Sequence, residues 1–403
     1  MRRKFVFFAA AASAVLTMLV VAGVTAQSPL TPKEQLGKFI FEDTDLSVNA
    51  NQSCATCHGR EAGWTGPDSA INAHGTVYEG SVPGAFGDRK PPSAAYATQS
   101  PILSVDRKGL FVGGNFWDGR ATGERLGNPA AEQAQGPFLN PMEQALASPA
   151  DVISRVCAAS YNGLFMDVCG AAACGGDPGG VPAAYDCIGY AVAAYEASPE
   201  VNAFSSKFDY SKKGMAKLSK EEQAGHALFL GKAKCAKCHI ANAQKPLFTD
   251  YTFDNVGIPK NPENPVYLRD PGFVDVGLGG FLASRTDYAA YAAANMGKHK
   301  VPTARNVALG PEALIKAYGH NGYFKSLWGI VHFYNTRDVL DRCPGDYTEA
   351  EALAANCWPA PEVSENVNEA ELGNLGLKPD EEAAIVAFLK TLSDGFVPSM
   401  PKK

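Results

Sequence analysis

The sequence predicts a mainly α-helical chain, built as two tandem units with long loops. Three observations carry that expectation: one helix-start pattern occurs twice, each copy runs into Cys-x-x-Cys-His, and strand signals are sparse. At roughly 150 residues per domain, a chain of 403 residues is too long for one small core. Two units account for it. Hydrophobic residues make up 46% and charged residues 19%, as in ordinary globular proteins, while 40 Gly and 27 Pro leave room for long irregular loops.

Arg2, Arg3 and Lys4 precede an apolar run from Phe5 to Val21 and a small-residue exit at Val24-Thr25-Ala26. This is the order of an export signal, and cleavage is expected after Ala26, making residues 1–26 a signal peptide. An uncleaved anchor is the alternative, although the run falls short of the roughly 20 residues that comfortably span a bilayer. Losing three basic residues takes the formal charge from −6 to about −9. A chain this acidic has no use for nucleic acid as a partner.

The first unit opens on Thr31-Pro32-Lys33-Glu34-Gln35, followed by Gly37 and Phe41. The second opens on Ser219-Lys220-Glu221-Glu222-Gln223, followed by Gly225 and Phe229. Both read as capping boxes, a hydroxyl residue with Glu three positions later, and Pro32 suits a first helical position. The first copy has the longer loop before its Cys-x-x-Cys-His. A boundary near residues 199–218 divides the chain into 27–200 and 201–403. Each unit also needs a helix to cross its first one. Around Tyr185 to Ala197, Ile188, Tyr190, Val192 and Tyr195 supply such a face. In the second unit Pro379 and the acidic turn Asp380-Glu381-Glu382 lead into Ile385, Val386, Phe388, Leu389 and Leu392, with Gly395 and Pro398 as the stop.

Ten cysteines divide into four in the two motifs and six others. Six in an exported chain suggest three disulfides. Cys343 and Cys357 share one loop and are expected to pair. Cys157, Cys169, Cys174 and Cys187 lie around a Gly-rich stretch, where Cys157–Cys187 with Cys169–Cys174 is one of the pairings open. A metal site is the alternative for these four, but no His lies among them.

Cys54-Ala-Thr-Cys57-His58 and Cys235-Ala-Lys-Cys238-His239 fit covalent haem attachment: the thiols add to the porphyrin vinyl groups and the histidine binds the iron. A zinc knuckle would bring more Cys or His at matching spacing, and a redox dithiol does not require the histidine. Two covalently bound haem c groups are therefore expected, each in a cytochrome-c-like unit. The occupant of each remaining axial position decides function. An open iron can activate peroxide, whereas a filled one mainly transfers electrons.

With these motifs in place, the sequence resembles the bacterial dihaem cytochrome c peroxidases, and more closely the subgroup that includes MauG and MbnH. The landmarks are Ser53-Cys-Ala-Thr-Cys-His58, Phe116-Trp-Asp-Gly-Arg120, Gln133 with Gly136-Pro-Phe-Leu-Asn-Pro-Met-Glu143, Val301-Pro-Thr-Ala-Arg-Asn306, and His320-Asn-Gly322. The resemblance implies that His58 holds the peroxide-reactive iron, with Glu143, Gln133 and Pro137 on its distal side, and that His239 holds a six-coordinate iron. It implies that Trp117 lies between the haems. On its own, Glu143 reads as an exposed loop acid and Trp117 as core packing.

The second distal ligand separates the subgroups. Plain peroxidases have Met at a position counted from a Pro-Tyr-x-His-Asp-Gly motif; counting from Ala317-Tyr-Gly-His-Asn-Gly322 reaches Tyr334, which matches the MauG pattern. His332 and Met296 are the rivals, and a helix-face core aromatic is the plain reading of Tyr334. His74 sits too early to be an inhibitory ligand of the first haem. His226 aligns with Lys38 and reads as a surface residue, and His299 has no role. The family also binds calcium between its domains; Tyr96 stands where an Asn ligand is expected, and the Leu309-to-Ala317 segment is expanded.

The implied activity is a periplasmic oxidoreductase that uses hydrogen peroxide to form a high-valent dihaem state and oxidises tryptophan in a partner protein. One alternative is a cytochrome c peroxidase that draws electrons from a small cytochrome. Another is a non-catalytic dihaem electron-transfer protein.

Overall fold

A computed structural model describes residues 29–398; the expected signal peptide and its cleavage site lie outside the described residues. Helices dominate, and the strands form three two-stranded ladders. Ser104–Val105 pairs antiparallel with Phe111–Val112, Phe253–Asp254 antiparallel with His299–Lys300, and Asp341–Arg342 parallel with Cys357–Trp358. No described helix is long and apolar enough to cross a membrane.

Both expected capping boxes form. In the Pro32–Glu42 helix the Glu34 amide donates to Thr31 Oγ1 and Thr31 N donates to Glu34 Oε2. In the Lys220–Leu230 helix Ser219 and Glu222 make the same exchange, satisfying amides that a helix start leaves open. The Val181–Ala197 helix packs on the first and the Pro379–Lys390 helix on the second. At each crossing a glycine is obligatory. A Cβ on Gly37 would sit 1.9 Å from the Ala191 carbonyl oxygen, and one on Gly225 would sit 1.8 Å from that of Ala384. The closing helix of the first half begins at Val181, earlier than its apolar face alone suggested, because Pro182 occupies the first turn where its missing amide costs nothing.

Each helix pair organises its own core. Leu36, Ile40, Phe41, Trp64, Ile188 and Tyr195 are buried together in one, and Phe229, Phe248, Ile385, Phe388 and Leu392 in the other. Val201 and Phe204 pack with the first core and Phe208 with the second, so the chain passes between them over these few residues. A further cluster of Tyr323, Phe324, Phe333 and Trp358 lies beneath the Leu327–Thr336 helix.

Cys343 pairs with Cys357 as expected. The other pairing is corrected: the bridges are Cys157–Cys174 and Cys169–Cys187, not Cys157–Cys187 and Cys169–Cys174. Cys169 ends the Asn162–Cys169 helix and meets Cys187 on the neighbouring Val181–Ala197 helix. The Ala171–Cys174 turn carries Cys174 back to the Pro149–Ala158 helix, which holds Cys157. His226, expected at the surface, is half-buried because its ring stacks 4.7 Å from that of Phe388.

Candidate functional site

The two Cys-x-x-Cys-His motifs are held in the same way. Cys54–Cys57 forms one helical turn, and the His58 amide returns to the Cys54 carbonyl at 2.9 Å; His239 returns to Cys235 at 2.9 Å. His58 Nδ1 faces the Trp64 carbonyl at 3.2 Å and His239 Nδ1 the Phe248 carbonyl at 2.7 Å. A carbonyl only accepts, so Nδ1 carries the proton and the Nε2 lone pair is free for a metal. Burial holds the His58 imidazole down to about 4, which keeps it neutral and ligand-competent. The four motif cysteines are the free ones, while the other six are locked in disulfides. Paired free thiols beside a neutral imidazole fit two covalently attached haems, with Cys235, Cys238 and His239 lining one apolar cavity and His58 lining another.

Trp117 lies in the walls of both cavities. It is buried, and its Nε1 donates to the Lys90 carbonyl at 2.8 Å while its own carbonyl accepts from the Lys300 amide at 2.8 Å. Phe116 adopts φ +63° beside it, a conformation a bulky residue holds only when its surroundings enforce it. Here the enforcement is visible. The Arg120 guanidinium lies 3.9 Å over the Phe116 ring and binds Asp118, which Arg89 grips from the other side at 2.6 Å.

Of the residues expected around the first iron, Gln133 lines the His58 cavity, whereas Pro137 and Glu143 lie outside its wall. The Pro137 carbonyl accepts the Gln144 amide at 3.1 Å and so fixes the turn that carries Glu143. Burial pushes the Glu143 carboxyl up, opposed by Arg120 and by an Asn140 hydrogen bond of 3.0 Å, and its charge reaches Cys54 and Cys57. His74 is exposed, pairs with Glu263 at 2.8 Å, and takes no part in that cavity.

Of the candidates for the second distal position, Tyr334 alone lines the His239 cavity. His332 turns away to bind Glu382 at 3.0 Å, and Met296 packs against the Phe253, Leu278 and Leu282 cluster. Burial pushes the Tyr334 phenol up, so a phenolate there requires a cation beside it.

The residues at the expected calcium position do not fit that ion. The Tyr96 hydroxyl donates to Asp394 at 2.6 Å, and the Arg305 guanidinium lies 4.9 Å from the Tyr96 ring, ion-paired with Asp209 at 2.8 Å. Within the expanded segment, the Lys316 ammonium donates to the carbonyls of Ala62, Leu309 and Asn306 at 2.6, 2.7 and 3.2 Å. The chain's own Arg305 guanidinium and Lys316 amine occupy this region, and burial lowers the Lys316 amine to about 7.

A family model described as di-haem cytochrome c peroxidase matches residues 31–217. The methylamine utilization protein MauG of Paracoccus denitrificans is 34% identical over 397 residues, covering 94% of this chain and 94% of the relative. The chain belongs to the di-haem cytochrome c peroxidase family. This family member is also 25% identical to the cytochrome-c peroxidase IdrP2 of Pseudomonas sp. (strain SCT), over 89% of this chain and 80% of that protein. The diheme peroxidase BthA of Burkholderia thailandensis matches with a TM-score of 0.72 and 29% identity, covering 91% of this chain and 87% of the other. A MauG-like protein associated with microbial copper homeostasis shares the fold, at a TM-score of 0.61 and 24% identity over 91% of each chain.

Two features of this peroxidase escaped the sequence reading. Glu196 lines the His58 cavity, and burial pushes its carboxyl up to about 8. Asp275, His299, His320 and Glu362 gather in the wall of the His239 cavity. There the two imidazoles stack at 3.5 Å, His299 Nε2 lies 3.2 Å from Asp275, and Arg89 clamps Asp275 through two bonds of 2.7 Å. His299, left without a role by the sequence, is therefore part of this buried cluster. No local pattern announces either feature. Glu196 follows Tyr195 at the end of a largely apolar helix, and the cluster joins four distant segments.

Proposed function

We propose that this peroxidase uses hydrogen peroxide to oxidise a tryptophan of a partner protein, with two haems acting as one oxidising centre. The observation that carries the reading is Trp117 in the walls of both cavities. An oxidisable ring held there by a hydrogen bond from its Nε1, on a backbone fixed by the Lys300 amide, suits electron exchange between the two irons. In this reading the units are cytochrome-c-like, spanning 27–200 and 201–403, and the chain works in the periplasm after cleavage behind Ala26.

When bound, the haems supply the iron that accepts the two oxidising equivalents of peroxide. The chain supplies the rest. His58 would hold the reactive iron, Gln133 in the same cavity would orient peroxide, and Glu143, carried on the Pro137 turn nearby, would move its proton from the inner to the outer oxygen. His239 and Tyr334 would hold the other iron, where an anionic phenolate would lower its potential relative to a thioether. No calcium ion enters this reading.

The test is to mix the holoprotein with one equivalent of peroxide and follow both haem spectra, then to analyse proteins encoded beside it by mass spectrometry. The expected result is a spectral change shared by both haems and a modified tryptophan in one partner. Sustained turnover with a small reduced cytochrome, without protein modification, would place the chain with the plain cytochrome c peroxidases.

A further inference from the structure

We infer that Trp328 is where electrons from the partner protein enter this enzyme, one at a time, on their way to the Tyr334 side of the second haem. The inference rests on the function proposed above and names the surface through which that function runs. Trp64, Trp117 and Trp358 are 5%, 8% and 0% exposed, whereas Trp328 is 42% exposed. Trp328 stands on the Leu327–Thr336 helix, six positions before Tyr334, about 9 Å along the axis.

A continuous set of rings joins the two. The Trp328 indole lies flat on His332, with centroids 4.8 Å apart and planes within 10°. His332 cannot swing freely, because Nδ1 binds buried Glu382 at 3.0 Å and Asn335 holds the same carboxylate at 2.6 Å. From His332 the next ring is Trp358 at 6.0 Å, then Phe333 at 5.1 Å, then Tyr334 at 6.1 Å. Trp358 is itself oxidisable and fixed, its Nε1 donating to Thr336 Oγ1 at 3.0 Å. His332, which sequence spacing offered as a rival iron ligand, instead connects the exposed indole to this stack.

The balance is simple. Reducing one peroxide to two waters takes two electrons and two protons. In turnover, both electrons leave the partner's side chain and pass singly through Trp328. Without a partner, Trp328 is the outermost member of this stack and is able to supply them. It loses two electrons and two protons and gains one oxygen atom from water, so that peroxide plus tryptophan gives hydroxytryptophan plus water.

The holoprotein is treated with peroxide without any donor, digested and mapped by mass spectrometry. Trp328 is expected to gain the mass of one oxygen atom ahead of the three buried tryptophans, and to be spared when cyanide blocks the haems. In parallel, Trp328→Phe is mixed with peroxide and then with a small reduced cytochrome c as the protein probe. The spectral change at the haems should form at the wild-type rate, while its decay with the probe slows roughly tenfold. If the wild type shows no shared spectral change, the proposed function fails. If the change forms but Trp328 stays unmodified, or is modified equally under cyanide, or if Trp328→Phe is reduced as fast as wild type, this inference alone is overturned.

Discussion

The two halves start from nearly the same pattern and finish with different cavity walls. In each, a capped helix crosses a closing helix over a glycine, and a Cys-x-x-Cys-His turn hangs its histidine from a backbone carbonyl. Around His58 the wall takes in Gln133 and Glu196, with Glu143 nearby. Around His239 it takes in Tyr334 and the Asp275, His299 and His320 cluster. The scaffold repeats because helix crossing and histidine support are local requirements of the attachment site. Glu196 rides on the closing helix itself, but Gln133, Tyr334 and the Asp275, His299 and His320 cluster arrive on segments outside the repeat, so the two cavities can differ while the scaffold does not.

The sharpest way to break this asymmetry is Glu143→Gln. If Glu143 moves the peroxide proton, its loss lowers the rate of the first haem's reaction with peroxide by about 10²–10⁴-fold, measured by stopped-flow absorbance. Burial raises this carboxyl, so the wild-type rate should climb with pH as it ionises, with its inflection above the usual carboxylate range. The variant should show no such inflection. Replacing Cys169 and Cys187 together with Ser tests a feature of the first half alone. Opening a loop of this size costs about 3 kcal/mol and should lower the denaturant midpoint.

The shared part of the comparison is tested by Gly37→Ala and Gly225→Ala. Each forces a methyl group onto a backbone carbonyl and should cost about 1–3 kcal/mol, seen as comparable drops in melting temperature. The smallest effect belongs to chelation. With the Arg305 guanidinium beside Tyr96 and the Lys316 amine bonded to three carbonyls, EDTA should leave the melting temperature unchanged.

What the sequence made legible was local. Thr31 with Glu34, Ser219 with Glu222, and the two haem motifs each declare themselves within a few residues, and the structure forms those caps and turns. Cys343–Cys357 was readable for the same reason. The bridges among Cys157, Cys169, Cys174 and Cys187 were not, since four thiols within one stretch are matched by the directions in which three helices and a turn carry them. His299 lay beyond any motif because its meaning comes from His320 and Asp275, which folding brings to it. The places of Glu143 and Tyr334 were suggested by family likeness, while the aromatic stack behind Tyr334 belongs to tertiary packing.

The disulfides bear on how such a chain is made. Every bridge is short in sequence, with separations of 17, 18 and 14 residues, and none encloses a haem motif. In chain order Cys54 and Cys57 come before any bridging cysteine, and Cys235 and Cys238 come after the first four and before the last two. Oxidation can therefore close each bridge among neighbours while the motif thiols stay reduced for the cofactor. If the chain is exported as proposed, its maturation has only two short segments to guard and no set of ten cysteines to unscramble.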